Sequence, residues 1–131
     1  MGGSNSLPVL RIAIADDNRP LRQLLAKLLG HLGQRVVYAA ANGAELVEAS
    51  KAIEIDVAIV DLDMPVMDGL AAAEELWARK IPVILISGHP DVQHVSEQHE
   101  PIAARLERPA SLDELEAAIR KAHASRIRTG A

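Results

Sequence analysis

Short apolar runs alternate with amphipathic segments along the sequence. Five of the runs are rich in Ile, Val and Ala and have the length of buried strands. They fall at residues 9–15, 35–40, 55–60, 82–86 and 102–106. The segments that follow most of them carry leucine or alanine at spacings of three and four, the period of a helix with one buried face. The pattern therefore predicts strands and helices in alternation.

Capping and turn residues set the expected ends of the helices. Pro20 suits the first turn of the first helix, and Gly33 suits its end. Six leucines are expected on the buried face of this helix: Leu21, Leu24, Leu25, Leu28, Leu29 and Leu32. Asn42 is placed to cap a second helix, and an alanine-rich third helix is expected at 69–80.

The pattern is weaker after the fourth strand. Residues 89–100 are polar and lie between prolines, which predicts a short or mobile helix. Their three histidines are five positions apart and do not share one helical turn, so a solvated segment is favoured over a metal site. Ser111 and Glu114 then form a capping box. The final helix is expected to direct four residues inward: Leu112, Leu115, Ile119 and Ala122.

Five strand–helix repeats predict an α/β fold with a parallel sheet and helices on both faces. Strands that are apolar along their whole length agree, because such sheets are covered on both sides. We expect one domain at 9–124, with a flexible lead at 1–8 and a flexible tail at 125–131.

Polar residues follow the predicted strands. Asp16 and Asp17 follow the first, Asp61 the third, Ser87 the fourth, and Arg108 comes near the end of the fifth. Ligands of open α/β sheets bind beyond the carboxyl ends of the strands. The sequence therefore brings three carboxylates, a hydroxyl and a cation to one edge.

Three clustered carboxylates repel one another. A pair at ~4 Å costs on the order of 4 kcal/mol at an effective dielectric near 20. A divalent cation removes the repulsion, and oxygen ligands favour magnesium. Asp16 and Asp17 could hold it, although the pair alone could also cap the first helix. A carboxylate oxygen of Asp61 could then attack phosphorus and form an aspartyl phosphate.

Composition narrows the partners. The formal net charge is −4 and aromatic residues make up 2% of the chain, so neither a basic stripe nor a stacking platform indicates nucleic-acid binding. The sequence has no secretory signal and no apolar run of the ~20 residues that span a bilayer. With no cysteine, a cytoplasmic protein is expected.

The motifs resemble those of a bacterial two-component response regulator receiver domain. They are Ala15-Asp16-Asp17, the run from Val60 to Gly69 (VDLDMPVMDG), Ser87-Gly88 and Arg108-Pro109. The resemblance covers residues 9–124 and implies a flavodoxin-like receiver fold with strand order 2-1-3-4-5. It also implies phosphoryl transfer from a sensor histidine kinase or phosphotransfer protein to Asp61.

The resemblance further implies roles for individual residues. Mg²⁺ would be held by Asp17, Asp61 and the backbone carbonyl of Asp63, with Asp16 assisting through water. Ser87 and Arg108 would contact the phosphoryl group. Such a domain is a phosphoacceptor that catalyses its own phosphorylation and dephosphorylation, rather than an enzyme acting on other substrates.

Three positions depart from the family pattern. Arg108 replaces the usual lysine, and arginine is longer, planar and forked. Arg105 occupies the position of the usual aromatic switch residue, so an aromatic rotamer switch cannot operate there. Pro101 replaces part of the usual approach to the fifth strand, as in short receivers with a reduced fourth helix.

The leading hypothesis is a stand-alone phosphorelay receiver that signals through a separate target protein. Arg105 and Arg108 keep a second hypothesis open, a degenerate receiver that binds partners without phosphorylation. A third is a small phosphatase with an aspartate nucleophile, suggested by Asp61-Leu62-Asp63. Against it, Pro65 stands where such enzymes carry Thr or Val.

Overall fold

Strands and helices alternate through residues 7–89 and 101–130, which this computed structural model describes. The strands are β1 (Arg11–Ala15), β2 (Arg35–Ala40), β3 (Val57–Asp61), β4 (Val83–Ser87) and β5 (Ile102–Glu107). The helices are α1 (Arg19–His31), α2 (Gly43–Ala49), α3 (Gly69–Trp77) and α4 (Leu112–Gly130). The short helix predicted at 89–100 lies, apart from His89, outside the described residues.

The strands form one parallel sheet in the order β2-β1-β3-β4-β5. The predicted fold class and strand order are therefore confirmed. The strand order reverses direction at β1, which pairs with β2 on one side and β3 on the other. In this kind of sheet, ligands bind at the carboxyl ends of the strands next to that reversal.

Apolar layers cover both faces of the sheet. Under α2 and α3, the strands contribute mainly Ala and Val, and Leu46 and Leu76 fill the space above them. Under α1 and α4, the strands contribute mainly Ile, which packs against Leu29 and Ile119. β3 and β4 are buried along their whole length, as expected for central strands of a sheet covered on both sides.

Two leucines that were predicted to face the core lie at the surface. Leu24 is 51% exposed and Leu112 is 41% exposed. Leu24 is one position before the buried Leu25, and one position is about 100° around a helix, so the leucine face is too wide to be covered. Leu112 is the first residue of α4, next to its exposed cap. The prediction was wrong at these positions and correct for Leu115 and Ile119, which are buried.

Local backbone and cap geometry places the ends of the elements. Asn42 caps α2 through a hydrogen bond from Glu45 N at 2.9 Å. Gly33, with φ +77°, follows the end of α1. The third helix ends at Trp77, three residues earlier than predicted, and Lys80 has φ +64°, which a helix cannot contain.

The last helix is longer than the sequence indicated. It continues to Gly130, so the flexible tail predicted at 125–131 begins inside α4. At the other end, Leu7 packs against the core and the Pro8 carbonyl accepts a hydrogen bond from Gln34 Nε2 at 3.2 Å, although both residues were assigned to the lead. The domain limits 9–124 stay a prediction. None of the helices in the described part of the chain has the apolar length needed to cross a bilayer.

An ion-pair cluster anchors α4 to the amino edge of the sheet. Asp56, 6% exposed, accepts hydrogen bonds from Arg11 N at 2.7 Å and from Arg11 Nε and Nη2 at 3.1 Å each. Arg126 Nη1 of α4 lies 3.4 Å from Asp56 Oδ1. Burial by itself raises the pKa of Asp56, but the hydrogen bonds and charge of Arg11, with the charge of Arg126, hold it below its usual range.

Neutralising Asp56 is expected to destabilise the protein. Asp56→Asn should lower the free energy of unfolding at pH 7 by about 1–3 kcal/mol, because hydrogen bonds to charged groups contribute about this much. Urea unfolding would measure it. The interactions that lower the pKa of Asp56 stabilise the fold at pH values above its unfolded-state pKa of about 4. This stabilisation is lost as the pH falls through the lower folded-state pKa. The difference from wild type should therefore shrink in acid.

Glu54→Gln is the matched control for this prediction. Glu54 pairs with the same Arg11 but its side chain is 81% exposed, so its loss should cost less than about 1 kcal/mol. Equal losses of unfolding free energy in the two variants would mean that the burial of Asp56 does not strengthen its interaction with Arg11.

Candidate functional site

The carboxyl edge of the sheet brings the predicted site residues together. Asp16 directly follows β1, and Asp61 is the last residue of β3; each comes one residue after the paired residues Ala15 and Val60, where the β1–β3 ladder ends. Ser87 is the last residue of β4. Arg108 follows β5, and its backbone N–H donates to the Ser87 carbonyl at 2.8 Å, which ties the turn after β5 to the end of β4.

Three carboxylates converge at this edge. Asp16, Asp17 and Asp61 can each offer an oxygen such that these atoms all lie within 4.8 Å of one another. Asp16 is fully buried, Asp61 is 7% exposed and Asp17 is exposed. The set thus has a closed side formed by protein and an open side at Asp17, and it consists of the hard oxygen ligands that a divalent cation such as magnesium prefers.

Crowding of negative charge shifts the titration of Asp61. Its burial, followed by the charge of Asp16 and then that of Asp17, raises its pKa to about 6. The Asp63 N–H, which donates to Asp61 Oδ1 at 3.3 Å, and the Arg108 charge act in the opposite direction and do not fully compensate. Asp61 is therefore held in an environment that favours added positive charge.

Asp16 is held in place from several directions. Its Oδ1 accepts a hydrogen bond from Asn18 N at 2.9 Å, and its Oδ2 accepts one from Arg108 Nη2. Its carbonyl accepts a hydrogen bond from Arg22 Nη1 at 2.5 Å. The sequence analysis missed Asn18 and Arg22. Asn18, the N-cap of α1, could have been found from its place two residues before Pro20; nothing in the sequence pattern indicates the reach of Arg22.

The Arg108 guanidinium spans two of the carboxylates. Nη2 contacts Asp16 Oδ2, and Nη1 lies 3.9 Å from Asp61 Oδ1. Its side chain is 18% exposed, so solvent weakens these interactions only in part. The cation predicted from the sequence is thus placed within the acidic cluster.

The Ser87 hydroxyl lies at the end of β4 and is 1% exposed. Its Oγ accepts a hydrogen bond from His89 N at 3.1 Å. Because the hydrogen bond from His89 N uses only a lone pair of the Ser87 oxygen, the hydroxyl proton remains available to donate to a further acceptor.

A helix cap, a left-handed residue and a close approach of glycine set the backbone of the loop after Asp61. Asp68 caps α3, accepting a hydrogen bond from Ala71 N at 2.9 Å. Val66 has φ +71° and is 83% exposed, a conformation that costs a β-branched residue about 1–2 kcal/mol. Gly69 approaches so closely that a Cβ there would lie 2.5 Å from the Asp61 carbonyl oxygen. The carboxylate of Asp63 is exposed, whereas its N–H points to Asp61.

The other two departures from the family pattern lie on β5, the outer strand of the sheet, and just before it. Arg105 is half-buried on β5, where it pairs with Leu85 of β4. Pro101 is buried, and its carbonyl accepts a hydrogen bond from Val83 N at 3.1 Å. Arg105 is therefore part of the outer strand of the sheet, and Pro101 is part of the turn that leads into that strand.

An apolar cleft of about 310 Å³ opens next to Arg108. One wall is the leucine face of α1 and the other is the turn that leads into α4. It is lined by Leu21, Leu24, Leu25, Leu28, Ile86, Arg108, Pro109, Ala110 and Leu115. The surface position of Leu24 is thus explained, since it lies at this cleft.

Comparison with known proteins identifies the family. The family described as "Response regulator receiver domain" matches residues 12–120. The chain belongs to this family. The receiver domain identified from the sequence motifs is thereby confirmed, and it contains every residue of the carboxylate cluster.

Relatives of this receiver domain occur in larger proteins. The transcriptional regulatory protein PdtaR of Mycobacterium tuberculosis is 33% identical over 111 residues, which are 83% of this chain and 54% of PdtaR. The chain spans about half or less of the length of the first curated relatives it matches.

Solved structures share the fold. The receiver domain of the response regulator NarL from Mycobacterium tuberculosis is 28% identical, with a TM-score of 0.79, covering 90% of this chain and 98% of that one. The receiver domain of the sensor histidine kinase PA1611 from Pseudomonas aeruginosa is 23% identical, with a TM-score of 0.76, covering 89% and 99%. In that protein a magnesium ion is coordinated in the active-site cleft.

A side chain at position 69 is expected to disturb the receiver domain. Gly69→Ala should lower the free energy of unfolding by about 1–3 kcal/mol, because the new methyl group would overlap the Asp61 carbonyl. Chemical unfolding would measure it. Gly30→Ala is the control, since a Cβ there meets nothing within 4 Å and alanine favours the helix. A neutral Gly69→Ala would contradict the close approach.

The raised pKa of Asp61 predicts a pH-dependent gain in stability on its neutralisation. A carboxyl whose pKa rises from about 4 when unfolded to about 6 when folded destabilises the fold increasingly as pH rises through that interval. In metal-free buffer, Asp61→Asn should therefore be more stable than wild type by up to about 3 kcal/mol at pH 8, with little difference near pH 4.

Urea unfolding in the presence of a chelator, at several pH values, would measure this effect. Added Mg²⁺ should then stabilise wild type more than Asp61→Asn, reversing part of the difference. A constant difference across the pH range would show that the charge of Asp61 is not its cause.

Proposed function

We propose that this receiver domain accepts a phosphoryl group on Asp61 from the phosphohistidine of a sensor histidine kinase or phosphotransfer protein, in a Mg²⁺-dependent reaction. The observation that carries the proposal is the convergence of Asp16, Asp17 and Asp61 with their oxygens within 4.8 Å and Arg108 among them. Family membership supports the same reaction.

The carboxylate cluster fits a magnesium ion. Asp17, Asp61 and the main-chain carbonyl of Asp63 would hold it, with Asp16 acting through water. Two features of the structure support this set: the oxygens are close enough to share one ion, and Asp61 is short of compensating positive charge. When bound, magnesium supplies that charge and neutralises the phosphoryl oxygens.

The side chains divide the chemistry between them. An oxygen of the Asp61 carboxylate attacks phosphorus, a new O–P bond forms, and the P–N bond to the donor histidine breaks as the imidazole leaves. The Ser87 hydroxyl donates a hydrogen bond to one phosphoryl oxygen. Arg108 donates from its terminal nitrogens to others, since its Nη1 is already 3.9 Å from Asp61 Oδ1. At neutral pH, above a pKa of about 6, Asp61 is mostly ionised and able to attack.

The output of the reaction is a change in binding surface. Aspartyl phosphate adds negative charge beside Arg108 and Ser87, and their movement toward it shifts an existing conformational equilibrium. We propose that a separate target protein reads this shift. The chain acts as a phosphoacceptor that catalyses its own phosphorylation and dephosphorylation, in the cytoplasm, without nucleic acid or membrane as partner.

One observation favours the second hypothesis, a receiver that binds partners without phosphorylation. Arg108 contacts Asp16, so a cation already occupies part of the acidic cluster. The proposed phosphotransfer requires that this contact can be exchanged. The test below separates the two functions.

Phosphorylation of Asp61 is tested by the intact mass of the protein after incubation with Mg²⁺ and acetyl phosphate. Wild type should gain one phosphoryl group and Asp61→Asn none, because the amide is not a nucleophile. Asp68→Asn is the control, since asparagine caps a helix as well as aspartate does; it should gain the group like wild type.

The other outcomes of this experiment would favour a different acceptor or a different function. A mass gain in Asp61→Asn would place the acceptor elsewhere. No gain in wild type, with acetyl phosphate or with a phosphorylated histidine kinase, would favour the phosphorylation-independent binding module. Continuous release of phosphate from small phosphate esters would favour the phosphatase.

A further inference from the structure

A side chain of α1 holds the backbone carbonyl of Asp16. Asp16 is fully buried, so its carbonyl oxygen needs a hydrogen-bond donor from the protein. Pro20, four positions further along the chain, has no N–H to offer. Arg22 supplies the donor instead, with Nη1 at 2.5 Å from the Asp16 carbonyl oxygen. The bond is charge-assisted and therefore stronger than one between neutral groups.

Further hydrogen bonds fasten Asp16 between β2 and the start of α1. Its N–H donates to the Ala40 carbonyl of β2 at 3.1 Å, and its Oδ1 accepts from Asn18 N at 2.9 Å. Asn18 also accepts from Leu21 N at 3.0 Å through its side chain and from Arg22 N at 2.9 Å through its carbonyl. The guanidinium of Arg22 thus completes a set of bonds that joins the first turn of α1 to Asp16.

The peptide group between Asp16 and Asp17 depends on this set. The carbonyl of Asp16 and the N–H of Asp17 belong to one planar unit, so the bond from Arg22 fixes the orientation of both. Asp17 is exposed, yet it can offer an oxygen within 4.8 Å of those of Asp16 and Asp61. An exposed side chain has little packing to hold it, and the position of the Asp17 carboxylate therefore depends on its backbone.

We infer that Arg22 is a positioning residue for Asp17, which it presents to Mg²⁺ by holding the peptide between Asp16 and Asp17. This inference rests on the proposed function, because it takes Asp17 as a metal ligand. Arg22 acts through the peptide group and touches neither the metal nor the phosphoryl group. Residues that orient metal ligands in this indirect way typically contribute roughly 10–100-fold to metal affinity.

The charge of Arg22 and its positioning role affect Mg²⁺ binding in opposite directions. A positive charge near the carboxylates repels a second cation, so the loss of the charge alone would tighten binding. The loss of the positioning bond would weaken binding. Arg19 provides the matched control, since it lies in the first turn of the same helix, carries the same charge and is exposed. The sign of the change therefore separates the two roles.

The test is the dissociation constant of Mg²⁺, measured by isothermal titration calorimetry at pH 8 and fixed ionic strength. Arg22→Ala should raise this constant about tenfold. Arg19→Ala should leave it unchanged or lower it, because only a charge is removed. Arg22→Lys keeps the charge and a donor for a single carbonyl, so its constant should lie closer to that of wild type than to that of Arg22→Ala.

A second readout needs no metal. In metal-free protein, the backbone amide NMR signal of Asp17 should shift and broaden in Arg22→Ala, because its peptide group is released, and relaxation dispersion would detect the exchange. Arg19→Ala should keep the wild-type signal. Circular dichroism checks that each variant is folded. Arg22→Gln, which has a helix propensity close to that of arginine and a shorter neutral side chain, replaces Arg22→Ala if that variant does not fold.

The results that overturn the inference differ in what they leave standing. Mg²⁺ affinity in Arg22→Ala equal to or tighter than in wild type would remove the positioning role and leave the proposed phosphotransfer intact. Equal weakening in Arg19→Ala, or an unchanged Asp17 amide in Arg22→Ala, would separate the effect from the peptide group. Absence of Mg²⁺ binding to wild type would overturn the proposed function together with the inference.

Discussion

The repulsion among the three carboxylates at the carboxyl edge of the sheet is the constraint on which the rest of the site depends. Asp16 and Asp61 cannot move apart, because each directly follows or ends a buried central strand and the parallel register fixes one beside the other. Burial, followed by the charges of Asp16 and Asp17, raises the pKa of Asp61 to about 6. Arg108, the loop after β3 and the cap of α1 all act on the same two carboxylates.

The loop after Asp61 is approached by two helices at places where only glycine fits. Gly69 lets the start of α3 approach the carbonyl of Asp61, and Gly43 lets α2 approach the Met67 carbonyl, where a Cβ would lie 2.8 Å away. The starts of two helices thereby pack against the loop that follows Asp61. Because interiors pack closely and deform little, these close approaches leave the backbone of this loop little room to move.

Much of this was predictable from sequence, because strand ends and hydrophobic periods are local signals. The alternation of elements and the grouping of Asp16, Asp17 and Asp61 follow from them, whereas the strand order was implied by the resemblance to the receiver family. What could not be predicted depends on side-chain reach over long sequence separations. The contact of Arg108 with Asp16 joins residues that are 92 positions apart in the sequence. Arg126, which contacts Asp56, lies in the part of α4 beyond the point where the sequence pattern predicted the helix to end. The exposure of Leu24 likewise depends on what covers the helix face.

The two ends of the sheet differ in how much positive charge surrounds their buried aspartates. At the amino edge, Asp56 is buried to a similar degree as Asp61, yet Arg11 and Arg126 give it more positive charge than it needs and lower its pKa. At the carboxyl edge, one arginine is shared by carboxylates that it cannot fully neutralise, and the pKa of Asp61 rises. A protein that needed only stability would have paired both edges in the same way. An acidic cluster left short of positive charge is costly unless a cation or a cationic partner completes it, which is the condition that a metal-dependent phosphoacceptor requires.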